Sequence, residues 1–158
     1  MSFIACEEDD VDVSEFTGNE MVYNLTPEST YYNGSGSVTI KERVDQGVTI
    51  EIAMDPTGSG GSHPAHLHYG TFDVPDAEMA AMLIPVDAST GLSVTTIYMF
   101  LDETEISYNQ LIDFDGSIKV HLDDGPNKKV VIAATNIGIN ASMNISDIAV
   151  CSSEKQAI

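Results

Sequence analysis

At 158 residues the chain has the length of one domain, enough to bury a core without disulfide or metal staples. Its 25 Asp and Glu against 6 Lys and Arg give a formal net charge of −19, a surface that repels nucleic acid and anionic lipid and excludes both as partners. No apolar run is long enough to span a bilayer as a helix.

Residues 1–20 are acidic, poor in aromatics and without periodicity, which predicts a linker. Within it, Phe3-Ile4-Ala5-Cys6 resembles the end of a bacterial lipoprotein signal, an apolar run closing on a small residue and the lipidated cysteine. Glu7-Glu8-Asp9-Asp10, then Asp12 and Glu15, are similar to the acidic leash of surface lipoproteins in Bacteroidetes-type bacteria. That resemblance implies lipidation at Cys6, an extracytoplasmic place at the outer membrane or cell surface, and contact with a membrane through the lipid alone. Only five residues precede Cys6, so the signal is expected to be truncated. A disordered acidic tail with a chance cysteine is one other reading, and a Cys6–Cys151 disulfide is another, since the termini of a domain often lie close together. Lipidation explains Cys6 better and leaves Cys151, in a polar 151–158 tail, as a lone thiol.

From Met21 the pattern changes to short alternating runs cut by Gly, Asn, Asp and Pro, which predicts strands over a domain spanning 21–150. Met21–Leu25 opens it. Ser37–Lys41 and Val48–Ile52 follow, joined at Asp45-Gln46-Gly47 by a hairpin turn. A Gly/Ser loop over 56–62 leads into the histidine-rich stretch. Ala80–Val86 and Ser93–Leu101 are separated by a turn at 87–91, and Ser107–Phe114 has helical spacing through Ile106, Leu111 and Ile112. Gly116–Leu122 and Lys129–Ile137 return to strand. About eight short strands with one helical piece predict an all-β antiparallel sandwich or Greek-key barrel.

All four histidines fall in two places: His63, His66 and His68 in one stretch, and His121 in Ile118-Lys119-Val120-His121-Leu122. Alternation puts His66 and His68 on one strand face with Leu67 on the other. It likewise sets His121 opposite the face of Ile118, Val120 and Leu122. If the two strands are neighbours, three imidazoles converge on the outside of a sheet. Such a trio is a first shell for Cu(II) or Zn(II) with one position open to water or substrate. His63, Asp123, Asp124 and Asp73 are the nearby candidates to orient the ligand rings. The alternative role for these histidines is structural, as hydrogen-bonded pins for the Gly/Ser loop and the 69–78 loop.

Four segments together look like the CHRD (chordin-type) domain, especially that of small marine bacterial lipoproteins. They are Gly-Ser-Gly-Gly-Ser-His-Pro-Ala-His-Leu-His at 58–68, Pro-Val-Asp-Ala-Ser-Thr-Gly-Leu-Ser at 85–93, Glu-Ile-Ser-Tyr-Asn-Gln-Leu-Ile-Asp-Phe-Asp-Gly at 105–116 and Ile-Lys-Val-His-Leu at 118–122. The resemblance covers roughly residues 21–140 and implies an extracytoplasmic β-sandwich without a transferable activity. A weaker likeness is to the copper/zinc superoxide dismutases, in His63-x-x-His66-x-His68-x-Gly70, in Val120–Gly125 and in Ala133–Ile139. It implies that His66, His68 and His121 match copper ligands and that His63 matches a nearby structural histidine. The chain departs from that family in having no histidine between His68 and His121, hence neither the bridging ligand nor the zinc-site histidines. Its one arginine, Arg43, is misplaced for guiding anions, and the family's disulfide cysteines are missing.

The expected function is therefore a non-catalytic, surface-anchored β-sandwich module that binds copper or zinc through His66, His68 and His121. The alternatives are a copper-only dismutase-like enzyme and a purely structural or adhesive domain. Met54, Met79, Met82 and Met99 have apolar neighbours and are expected as core filler rather than soft copper ligands. Asp123-Asp124-Gly125 is expected as a turn, and Tyr31-Tyr32 as a small exposed aromatic patch. The Asn-x-Ser/Thr triplets at Asn24, Asn33, Asn140 and Asn144 matter only in a eukaryotic chain.

Overall fold

β-branched residues at every second position need a surface to bury one face against, and here each of two sheets supplies it to the other. The computed structural model describes residues 14–143 apart from 29 and 59. It is an all-β sandwich of two antiparallel sheets with one short helix. The strands are β1 (Phe16–Asn24), β2 (Thr26–Pro27), β3 (Gly36–Arg43), β4 (Val48–Met54), β5 (Ser62–Tyr69), β6 (Met79–Asp87), β7 (Leu92–Ile97), β8 (Asp115–His121) and β9 (Val131–Gly138). The helix α1 spans Tyr108–Ile112. One sheet runs β1-β3-β4-β7 and the other β2-β9-β8-β5-β6.

The inward faces carry the core. Val38 and Ile40 on β3, Val48 and Ile50 on β4, Ala65 and Leu67 on β5, and Ile118 and Val120 on β8 are all fully buried in one cluster. The edges of the two sheets meet where Ile84 on β6 donates its N–H to Thr95 Oγ1 on β7 at 2.8 Å, and Ser93 Oγ returns a bond to the Ile84 carbonyl. The 87–91 turn needs a glycine at its end. Gly91 has φ +73°, and a Cβ there would collide with the Met54 carbonyl oxygen. Ser107 caps α1, with its hydroxyl accepting from the Gln110 N–H and Gln110 Oε1 accepting in return from the Ser107 N–H.

Several expectations are corrected. β1 begins at Phe16, inside the segment expected as linker, although residues 17–20 show no apolar alternation. Backbone pairing to β3 holds it, together with Phe16 lying under the Lys41 and Arg43 cations and an Arg43–Glu15 ion pair at 2.7 Å. β7 stops at Ile97, because Tyr98–Ile106 turns back on itself through Glu103 at φ +69° and a Met99–Glu105 bridge. Tyr32 is no surface patch: it is buried, its hydroxyl donating to the Ser35 carbonyl and accepting from the Asp55 N–H, while Tyr31 alone is exposed. Met54 is core filler as expected, but Met82 and Met99 are exposed. Cys6, Cys151 and the 151–158 tail lie outside the described residues.

β5 carries three of the four histidines. It lies between β8 and β6, with Ala65 opposite Val120 and Leu67 opposite Ile118. Pro64 is tolerated inside it because the pairing with β6 shifts register between His63 and Ala65, and a proline is accommodated at such a bulge. Since Leu67 fills the inward face between His66 and His68, Leu67→Ala is expected to lower stability by about 2–5 kcal/mol in urea unfolding.

Candidate metal centre

The juxtaposition of β5 and β8 brings His66, His68 and His121 onto one face of the second sheet. Their ligand-capable nitrogens all lie within 4.8 Å of one another, and their ring centroids are 5.0–6.3 Å apart. A tetrahedral ion with bonds of about 2.0–2.1 Å needs nitrogens about 3.4 Å apart. Small side-chain rotations close that difference, so the three residues fit a zinc- or copper-sized ion.

The face points away from the sandwich core, yet it is not open to water as the strand alternation suggests. His68 and His121 are only 4% and 2% exposed, and His66 is half-buried. The loop over 70–78 lies across them. Phe72 packs with Val131 and Ala134 on the outside of β9, and its N–H donates to Asn136 Oδ1 at 2.8 Å. The Val74 carbonyl accepts from Lys119 Nζ at 2.9 Å, and the Ala77 carbonyl accepts from His68 Nδ1 at 2.9 Å.

That last bond decides the chemistry of His68. A carbonyl can only accept, so Nδ1 carries the proton and Nε2 keeps its lone pair. His68 Nε2 and both ring nitrogens of His121 are buried and make no hydrogen bond to protein. Leaving such a group unsatisfied costs about 1–3 kcal/mol, and a bound cation is one way to recover it. His68 thus pins the 69–78 loop with one nitrogen and offers the other as a ligand, with a backbone carbonyl orienting the ring.

Electrostatics keep the rings neutral, as ligation requires. Burial pushes His68 down to about 4 from the usual 6.5; the Ala77 hydrogen bond opposes this, while the nearby Lys119 and His66 charges reinforce it. Burial also pushes His121 down to about 4, with His66, His68 and Lys119 adding to it. The Lys128 backbone opposes that shift from outside hydrogen-bonding geometry. His66 is lowered by burial.

The other candidates stand apart from the trio. His63 is buried with the inward-facing residues of β5, where Nδ1 donates to the Leu122 carbonyl at 2.8 Å and Nε2 accepts from Thr57 Oγ1 at 2.6 Å. Both nitrogens are used in tying the Gly/Ser loop to the end of β8, so His63 is a structural pin and not a support for the ligands. Asp123 accepts from the Gly125 and Asn127 N–H groups and from Asn127 Nδ2, the turn that its sequence suggests. Asp73 accepts from Thr71 Oγ1 within the covering loop. Among the described residues no carboxylate or cysteine joins the three imidazoles at ligand distance. Sequence reasoning missed the Ala77 carbonyl, which no pattern marks, and Lys119. The latter is fully buried directly across from His66, and the alternation that places His121 on this face places Lys119 there too.

The depressed values predict how the metal-free protein responds to pH. Between 6.5 and 4 the unfolded chain takes up protons at positions 68 and 121 that the folded chain refuses, so their contribution to stability is full above pH 6.5 and lost as pH falls toward 4. Protonation of the many carboxylates acts in this range as well, and comparison with a variant isolates the histidine part. The stability difference between wild type and His68→Gln/His121→Gln, followed by thermal unfolding from pH 7.5 to 4.5, is expected to shift against wild type as pH falls below 6.5. No protein-family model, curated protein or solved structure matches the chain, and the site therefore stands on its own geometry.

Proposed function

We propose that this chain is a β-sandwich module that binds a transition metal through His66, His68 and His121, without catalysing a reaction. One observation carries it. Two strands distant in sequence deliver three neutral imidazoles to a shared point, and three of their buried ring nitrogens find no protein partner. A set of purely structural histidines would resemble His63, with both nitrogens spent.

The surroundings favour binding over turnover. Three surface concavities lie away from the trio, beside Tyr69, Phe100 and Phe114, beside Tyr98 and Glu105, and beside Thr57 and His63. The covering loop leaves His66 as the most accessible of the three rings. A dismutase-like activity would have to draw an anion to a surface of net charge −19, where electrostatic steering opposes the approach. The same charge concentrates cations near the protein. The acidic stretch after Cys6 supports display outside the cytoplasm on a lipid anchor, in the manner of a CHRD-like surface lipoprotein.

Calorimetric titration with Zn(II) and Cu(II) is expected to give one site per chain, weakened by roughly 100-fold or more in His121→Ala and in His68→Ala. Equal binding by wild type and both variants would refute the three-histidine site. Copper-loaded protein is expected to consume superoxide no faster than the same concentration of free copper; a large excess over that rate would restore the enzyme reading.

A further inference from the structure

β5 has two neighbours in its sheet, β8 on one side and β6 on the other. β6 pairs with it so that Met82 stands directly across from His66, and Met79 across from His68. Cross-strand partners project from the same face with Cβ atoms about 4.5–5.5 Å apart, so the outer face of β6 borders the imidazoles with thioethers. Met82 is not occupied elsewhere: it is 63% exposed, whereas Met54, in the core, is 6% exposed. An exposed apolar side chain is unremarkable in itself. Its position opposite the most accessible imidazole of the trio gives it a use, which its exposed neighbour Ile84 lacks the chemistry to share.

We propose that Met82 supplies a thioether to the three-histidine group, making it a copper site that favours Cu(I) over Zn(II). This rests on the metal-binding function proposed above and names the metal. A methionine has three rotatable bonds and a polarizable sulfur, so it can turn from solvent toward an ion held by His66. Thioethers select Cu(I) among the first-row ions, while zinc sites draw on thiolate, imidazole and carboxylate. With no carboxylate or cysteine at ligand distance among the described residues, three neutral imidazoles and one neutral sulfur form an uncharged donor set. Such a set suits a monocation better than a dication, which gains more from anionic ligands. Four donors would then come from three adjacent strands, with His121 on β8, His66 and His68 on β5, and Met82 on β6.

The test uses the full chain, with Cu(I) affinity measured anaerobically by competition with bicinchoninate and Zn(II) affinity by competition with a chromophoric chelator. Met82→Leu keeps the bulk and removes the sulfur; Met99→Leu removes an exposed sulfur outside both sheets. Met82→Leu is expected to lose about tenfold or more in Cu(I) affinity with Zn(II) affinity unchanged, and Met99→Leu to lose neither. X-ray absorption at the copper edge is expected to show one sulfur neighbour in wild type and none in Met82→Leu. Unchanged Cu(I) affinity in Met82→Leu, a nitrogen-only copper shell in wild type, or an equal loss in Met99→Leu overturns the sulfur assignment. If Zn(II) binding still depends on His121 in that case, the three-histidine site survives without the sulfur. If wild type binds neither metal, both proposals fall together.

Discussion

The pairing of β5 with β8 is the constraint on which both the core and the candidate centre depend. In that register Ala65 and Leu67 meet Val120 and Ile118 on the inward face, all fully buried, while His66, His68, Lys119 and His121 take the other side. Strand periodicity is two, so a slip of one residue would drive imidazoles and an ammonium into the sandwich and expose the aliphatics. Packing of the apolar face therefore sets the position of the polar face. The trio needs no separate device to assemble it, because the free energy that buries Leu67 and Ile118 also aligns the rings.

What distinguishes this polar face is that it is covered. The 70–78 loop is fastened by Phe72 against Val131 and Ala134, and by carbonyls that accept from His68 and Lys119. Its cover removes water from the rings and so holds them neutral, the state in which nitrogen lone pairs are available to a cation. Among the described residues, the buried side-chain polar atoms without protein partners belong to His68, Ser117, His121 and Asn136. All four stand on this outer face, where Ser117 is opposite both His68 and Asn136. Concentration of such groups at one place, rather than their scatter through the core, marks the region as one organised around something polar.

The two β5 histidine environments show how one residue type is put to different uses within six positions. His63 lies among inward-facing residues and spends both nitrogens on Leu122 and Thr57. His68, five residues on and facing the other way, spends one and keeps one. The odd spacing between them is what separates the pin from the candidate ligand.

The all-β class, most strand centres, the short helix and the common face of His66 and His68 were legible in the chain itself, because each follows from alternation, helical spacing or turn residues within a few positions. Placing His121 beside them required the guess that two segments more than fifty residues apart are neighbours, a matter of topology that local pattern does not encode. Burial of the trio, the carbonyl of Ala77 on His68, the enclosure of Lys119 and Tyr32, and the exposure of Met82 opposite His66 were decided by tertiary structure alone. Alternation tells which side of a strand a residue takes, but whether that side meets solvent, a loop or another strand depends on chain brought from elsewhere.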